Sequence, residues 1–196
     1  MERMHMKKGL IIAIVAVGVV GFIAYNRYKK MHEVAAPVAM EGQAGTFEGA
    51  TDLKDKTFDT LQIKGDAKLE SVQVTNDATI TGLLDAKKLN AKQLNVTGNA
   101  NIDEATVEAA NVTGMLNAKG CTIQDLSVTS ESSMMDSCKV KKITVKKVEG
   151  SEKPQVLELN NSQVEGDVTF EAGNGEVVLK GDARVAGAVV GGAIKQ

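Results

Sequence analysis

The feature that most constrains this chain is a repeat of about sixteen residues running from Gly45 to Val148. Copies begin at Leu61-Gln-Ile-Lys-Gly-Asp-Ala-Lys-Leu, Ala78-Thr-Ile-Thr-Gly-Leu-Leu-Asp-Ala, Leu94-Asn-Val-Thr-Gly-Asn-Ala-Asn-Ile, Ala110-Asn-Val-Thr-Gly-Met-Leu-Asn-Ala, Leu126-Ser-Val-Thr-Ser-Glu-Ser-Ser-Met and Ile143-Thr-Val. Their starts lie 17, 16, 16, 16 and 17 residues apart. A fixed short period means that one small unit, unable to bury its apolar face alone, is stacked on copies of itself. Such a stack has two ends and long faces rather than one central cleft.

Within a copy, apolar or small residues fall at positions 1, 3, 5, 7 and 9, then at 12 and 14. This is period two with two interruptions, which predicts strands joined at corners. Position 3 reads Ile63, Ile80, Val96, Val112, Val128, Val145, and the β-branched enrichment argues against helix. Position 5 reads Gly65, Gly82, Gly98, Gly114, then Ser130, as expected of a bend with no room for a side chain. Phe47, Gly49, Thr51, Leu53 and Phe58 fit positions 3, 5, 7, 9 and 14 of an earlier copy. The prediction is an all-β fold, a single-stranded parallel β-helix with three short strands per coil. Parallel crossovers are right-handed by default, and the same hand is expected here. An aromatic content of 3 % suits a narrow aliphatic interior.

Position 12 reads Val72, Leu89, Ala105, Cys121, Cys138, provided that the extra residue of the fifth copy precedes Cys138. The two cysteines are then neighbours in one inward ladder, either as small core thiols or bridged across adjacent coils. Two thiols without a histidine do not make a metal site, and His5 and His32 both lie upstream of the repeat. The same shortage leaves no Ser/His/Asp or Cys/His set inside the repeat, so neither catalysis nor a cofactor is expected. An enzyme reading requires a pocket lined by at least two outward carboxylates, drawn from Asp66, Asp85, Asp103, Glu104, Asp125 and Asp136. With a net charge of −2 and no aromatic platform in the repeat, nucleic acid is not an expected partner.

Two outward features stand out. Position 4 reads Lys64, Thr81, Thr97, Thr113, Thr129, Lys146. Lys139, Lys141, Lys142, Lys146 and Lys147 form a basic cluster, with Lys87, Lys88, Lys92 and Lys119 on earlier coils. The cluster is either a contact for anionic lipid or wall polymer, or a solvated face that discourages aggregation.

Ahead of the repeat, Leu10 to Ala24 form an unbroken apolar or small run, flanked by Lys7 and Lys8 and by Arg27, Lys29 and Lys30. Tyr25 and Tyr28 sit where interfacial aromatics belong. A single-pass anchor helix over residues 9–28 is expected, after a short tail 1–8 and before a linker 29–44. A cleaved signal peptide is the alternative, but the charged block Arg27–Lys30 separates the run from the small-residue site Val34-Ala35-Ala36. Basic residues balance across the run, so orientation is open, with the solenoid outside the cytoplasm slightly favoured. The solenoid is expected over 45–192, with regular coils 45–148, longer closing coils 155–192 and a tail 193–196.

The ends of such a solenoid expose whole strands, and Phe47, Phe58 and Phe170 fall near them as caps or end-to-end contacts. The repeat Val96-Thr-Gly-Asn-Ala-Asn-Ile, the later Val164-Glu-Gly-Asp-Val-Thr-Phe and the closing Gly181-Asp-Ala-Arg-Val-Ala-Gly resemble the bactofilins, a polymer-forming bacterial cytoskeletal family. The resemblance covers residues 45–192 and implies a right-handed β-helix that assembles end to end without nucleotide and scaffolds envelope processes. The full-length hydrophobic run and the slightly shorter coil depart from the family pattern. Together these readings lead to the expectation of a membrane-anchored, self-associating structural protein, with the bilayer and further copies of itself as partners and envelope proteins or wall polymer as further ones. A surface or periplasmic adhesin or display domain is the alternative.

Overall fold

The computed structural model describes residues 43–195, and all of its regular structure is β. The expected tail, anchor helix and all but the end of the linker lie outside the described residues, among which no helix is long and apolar enough to cross a membrane. The chain winds as a parallel solenoid of right-handed type. Every strand pairing is parallel, and registers in the regular part advance by 16 or 17 residues, as in Ala110↔Leu126 and Leu61↔Ala78. Averaged over the molecule a coil is about 17 residues, slightly more than the regular repeat.

Three sides are present, but they form two sheets. The second side is a 9-stranded sheet running from Thr51–Lys54 to Gly192–Lys195. The first and third sides merge into a 12-stranded sheet, because strands such as Asn90–Thr97 and Thr106–Thr113 run through the corner between them. At the other two corners, turns break the strand. The last strand ends at Lys195, so the expected tail at residue 193 is instead part of the solenoid: Ile194 pairs with Val177 and Lys195 with Val178.

Positions 1, 3, 7, 9, 12 and 14 point inward and make one continuous core. Bulk alternates within it. One coil contributes Leu61, Ala67 and Leu69 at positions 1, 7 and 9, the next Ala78, Leu84 and Ala86, then Leu94, Ala100 and Ile102, then Ala110, Leu116 and Ala118, all buried. Position 7 is small where positions 1 and 9 are large, and the assignment inverts at the next coil. Alternating bulk of this kind suits close packing of a narrow interior.

Two kinds of corner carry positive φ. At position 5, Gly65, Gly82, Gly98 and Gly114 have φ from 129 to 138°. A Cβ on any of them would come closer than 3.0 Å to the backbone of the glycine one coil earlier. Ser130 breaks this ladder, and the chain answers with an extra residue: register steps from Thr113↔Thr129 to Leu116↔Ser133. Met135 consequently turns into the core and Met134 lies 42 % exposed, one residue later than the uninterrupted template places them. The second kind of corner, at position 11, holds Asp55, Ser71, Lys88, Glu104, Ser137 and Asn161 with φ from 47 to 56°, and Gly120 at 60°. There the side chains project outward and need no glycine.

After Val145 the coil opens into an excursion. Gln155, 2 % exposed, closes it by donating from Nε2 to the carbonyls of Ser130 and Lys146, at 2.8 Å each. Longer coils follow, with Ile143↔Val168 and Val168↔Val189 marking the rungs.

Candidate functional site

Seen rung by rung, the outward surface of each side has its own character. On the second side, position 10 reads Lys54, Glu70, Lys87, Asp103, Lys119, Asp136 in unbroken register. Position 8 begins Asp52, Lys68, Asp85 on the same rungs. Charge therefore alternates along the axis and across each rung at the start of the file. Lys54 and Glu70 meet at 2.9 Å, and Lys68 and Asp52 at 3.8 Å. The hydrogen bond from Lys54 holds the Glu70 carboxyl below the usual carboxylate range, and the same contact raises Lys54.

A groove of about 310 Å³ lies on this side, and Asp85, Asp103 and Asp136 all reach it. It meets the count of carboxylates that an enzyme reading requires. Its arrangement is less favourable: Lys119 stands between Asp103 and Asp136 in the file, leaving those two about 9.6 Å apart along the axis at two rungs of about 4.8 Å. Asn101, Asn117 and Met134 complete the polar and exposed lining, which includes no serine, threonine, cysteine or histidine. Asp136 Oδ1 accepts from Ser137 Oγ at 2.9 Å, and Lys119 shares the groove with the three carboxylates.

The first side is neutral over its middle. Positions 2 and 4 present Thr79 and Thr81, Asn95 and Thr97, Asn111 and Thr113, Ser127 and Thr129. Asn111 Nδ2 donates to Asn95 Oδ1 at 3.0 Å, tying the amides into a ladder. Lys64 and Lys146 bound the threonine file.

The basic cluster divides. Lys139, Lys141 and Lys142 are exposed on the strand Lys139–Val145, and Lys142 lies in register with Asp125. Lys146 and Lys147 follow around the corner, and Lys147 lines a groove of about 720 Å³ floored by Gly114 and Met115. None of the five lies within 4.0 Å of a carboxylate among the described residues. Lys87 and Lys119 belong to the alternating file of the second side, and Lys92 borders a separate small groove with Asp77 and Glu108. The wider lysine set is therefore not one basic face, because the repeat distributes it over different sides.

Cys121 and Cys138 are both free thiols, 1 % exposed, on adjacent rungs of the position 12 ladder. The Cys121 N–H donates to Cys138 Sγ at 3.4 Å, and the Cys138 N–H donates to Ser162 Oγ at 3.0 Å. Ser162 thus continues the ladder. Each heteroatom accepts a backbone N–H from the rung before it, at a corner where the backbone ladder provides no partner. The hydrogen bond with Cys121 and then burial push the Cys138 thiol up. The same hydrogen bond holds the Cys121 thiol below its usual range, and both thiols lie buried in the ladder.

The phenylalanines do not share one environment. Phe47 and Phe58 are half-buried at the N-terminal rung, edge to face at 6.0 Å and 82°. Phe170 is 3 % exposed and lies beneath the last rung, where a Cβ on Gly175 or Gly192 would strike its ring. Phe170 is therefore an internal filler and not an end contact, because the two glycines admit the ring beneath the last coil. The residues that actually face out at the C-terminal rung are Val190, 51 % exposed, and Ile194, 48 % exposed, beside half-buried Val185 and Val189. Composition gave these no mark, since the aliphatic residues of a last coil look like those of any other.

No protein-family model matches the chain, and no curated protein or solved structure matches it significantly.

Proposed function

We propose that this chain is a non-enzymatic structural protein, a β-solenoid rod fixed to a membrane by residues 9–28 that assembles end to end as an envelope-associated scaffold of bactofilin-like kind. The observation that carries the reading is the pair of rod ends. Among the described residues, Gly45–Glu48 and Thr51–Lys54 at the first rung each have a strand neighbour on one side only, and at the last rung the same is true of Val189–Val190 and Gly192–Lys195. A row of unpaired N–H and C=O groups beside exposed aliphatic side chains is a template for another strand. The hydrophobic run Leu10–Ala24 and its basic flanks support the anchor.

Sedimentation velocity of the full chain in detergent micelles, at rising protein concentration, tests the reading. Assembly gives species whose size grows with concentration, and Ile194→Asp, at a position 48 % exposed, returns them to a single small species while leaving the β circular dichroism unchanged. One small species at every concentration for the unaltered chain refutes it.

The neutral threonine and asparagine face favours a second reading, a display or adhesin domain held outside the cell with that face as its binding surface. Protease shaving of intact cells separates the two: a solenoid digested from outside supports display, and one protected inside the cytoplasm supports the scaffold.

A further inference from the structure

Three side chains on the outward face of the second side meet at one carboxylate, and from their placement we propose that Lys180 and Asn160 join in an intramolecular amide bond, with Glu158 moving the protons. The bond ties two successive rungs of one copy together. It is independent of the assembly reading above.

Register brings the groups together. Val156–Asn160 and Gly175–Lys180 are neighbouring parallel strands, and Asn160 pairs with Lys180 across a spacing of about 4.8 Å. Glu158 lies two residues before Asn160, so both side chains leave the strand on the same face. Glu158 Oε1 accepts from Lys180 Nζ at 2.8 Å and from Asn160 Nδ2 at 3.0 Å. Other contacts on this side are simpler. Glu70 meets Lys54 and Glu176 meets Lys195, and among the described residues no amide shares either carboxylate. Asn160 Oδ1 is buried without a hydrogen-bond partner among the described residues. The amide is thus held through its nitrogen, and its oxygen is free to take up charge.

These are the parts that an exchange of amides needs: a nucleophilic amine, a carboxamide and a carboxylate touching both nitrogens. Lys180 and then Asn160 beside Glu158 hold its carboxyl below the usual carboxylate range, so it is present as the base. Glu158 takes one proton from the Lys180 ammonium. The freed lone pair of Nζ attacks Cγ of Asn160 and forms the Nζ–Cγ bond, and the carbonyl electrons move onto Oδ1. They return as the Cγ–Nδ2 bond breaks. Glu158 gives its proton to the departing nitrogen and relays a second one from Nζ, so ammonium leaves and Glu158 ends as the carboxylate it began as. No oxidant or co-reactant enters the balance. The Lys180 side chain is 56 % exposed, which lets the ammonium escape to solvent. Attack requires the neutral amine, so the rate rises with pH.

The intact mass of the full chain in detergent, followed over time at about pH 9 where more of a lysine amine is neutral, reads the bond. The expected product is lighter by one ammonia, and its digest contains a branched peptide that joins the Asn160 segment to Lys180. Lys180→Arg and Asn160→Ala are expected to keep the full mass. Glu158→Gln is expected to form the product about a hundredfold more slowly, with the β circular dichroism unchanged. An unchanged mass in the folded, unaltered chain overturns the proposal. So does an ammonia loss that persists in K180R, which instead reports a cyclic imide at Asn174-Gly175. A product that forms as fast in E158Q as in the unaltered chain overturns the role of Glu158.

Discussion

At the scale of single residues, glycine does two different jobs in this solenoid, and only one of them writes itself into the sequence. At position 5 the backbone of the preceding coil occupies the space a Cβ needs, so Gly recurs at Gly65, Gly82, Gly98 and Gly114 and the corner was readable from the repeat alone. At position 11 φ is also positive, but at 54 to 56° for Ser71, Lys88 and Glu104 against 129 to 138° at position 5, and the side chains there project outward. A left-handed residue costs about 1–2 kcal/mol without leaving a compositional trace, which is why that corner was not legible. The two classes respond differently to the same change. Gly98→Ala forces the Cβ against the Gly82 backbone and adds conformational strain, and is expected to cost about 3 kcal/mol or more. Gly120→Ala, whose nearest neighbour lies at 3.8 Å, is expected to cost only the conformational part, about 1 kcal/mol. Urea unfolding of the two variants beside the parent measures both, and equal losses contradict the distinction. The phenylalanines give the opposite lesson. Their places in the repeat were legible, but whether a ring lies on a terminal surface depends on what covers it, and two glycines in the last coil decide that for Phe170.

Among elements, the coil is the unit, and its register is what the surface charge protects. The core alternates Leu–Ala–Leu with Ala–Leu–Ala from one rung to the next, and position 10 alternates Lys with Glu or Asp over the same two-rung period. A slip by one coil sets leucine against leucine inside and lysine against lysine outside. Individual exposed ion pairs stabilise by only about 0–1 kcal/mol, so the charges act mainly against wrong registers. Glu70→Lys places three lysines in line, Lys54, residue 70 and Lys87, and is expected to lower the melting temperature at low salt. Thermal unfolding at low and high ionic strength checks this: the deficit shrinks as salt screens the file, and a salt-independent deficit contradicts it. The regular coils were legible because position and spacing repeat. The merging of two sides into one sheet was not, since the corner after position 14 keeps extended backbone and leaves no turn residue. The extra residue beside Ser130 was visible in the count, and its place followed only from the missing glycine and the inward turn of Met135.

At the largest scale, the solenoid stacks nine rungs on its second side, and among the described residues each end strand of that sheet has one neighbour. The carboxylates gathered at the groove on that side are interleaved with lysine, and the two buried thiols act as acceptors for backbone N–H groups or as links in that ladder. Its rungs stack along its length, and among the described residues the stack does not close on itself. The proposed assembly through those ends has a definite expected geometry. Nine rungs at about 4.8 Å each give about 43 Å of axial length per copy. Electron microscopy of the full chain in detergent, with measurement of the axial repeat, is the most direct test. The account predicts unbranched filaments with a strong spacing near 4.8 Å and a subunit repeat of about 43 Å. Isolated particles of single-copy size, at concentrations where the protein is folded, contradict it.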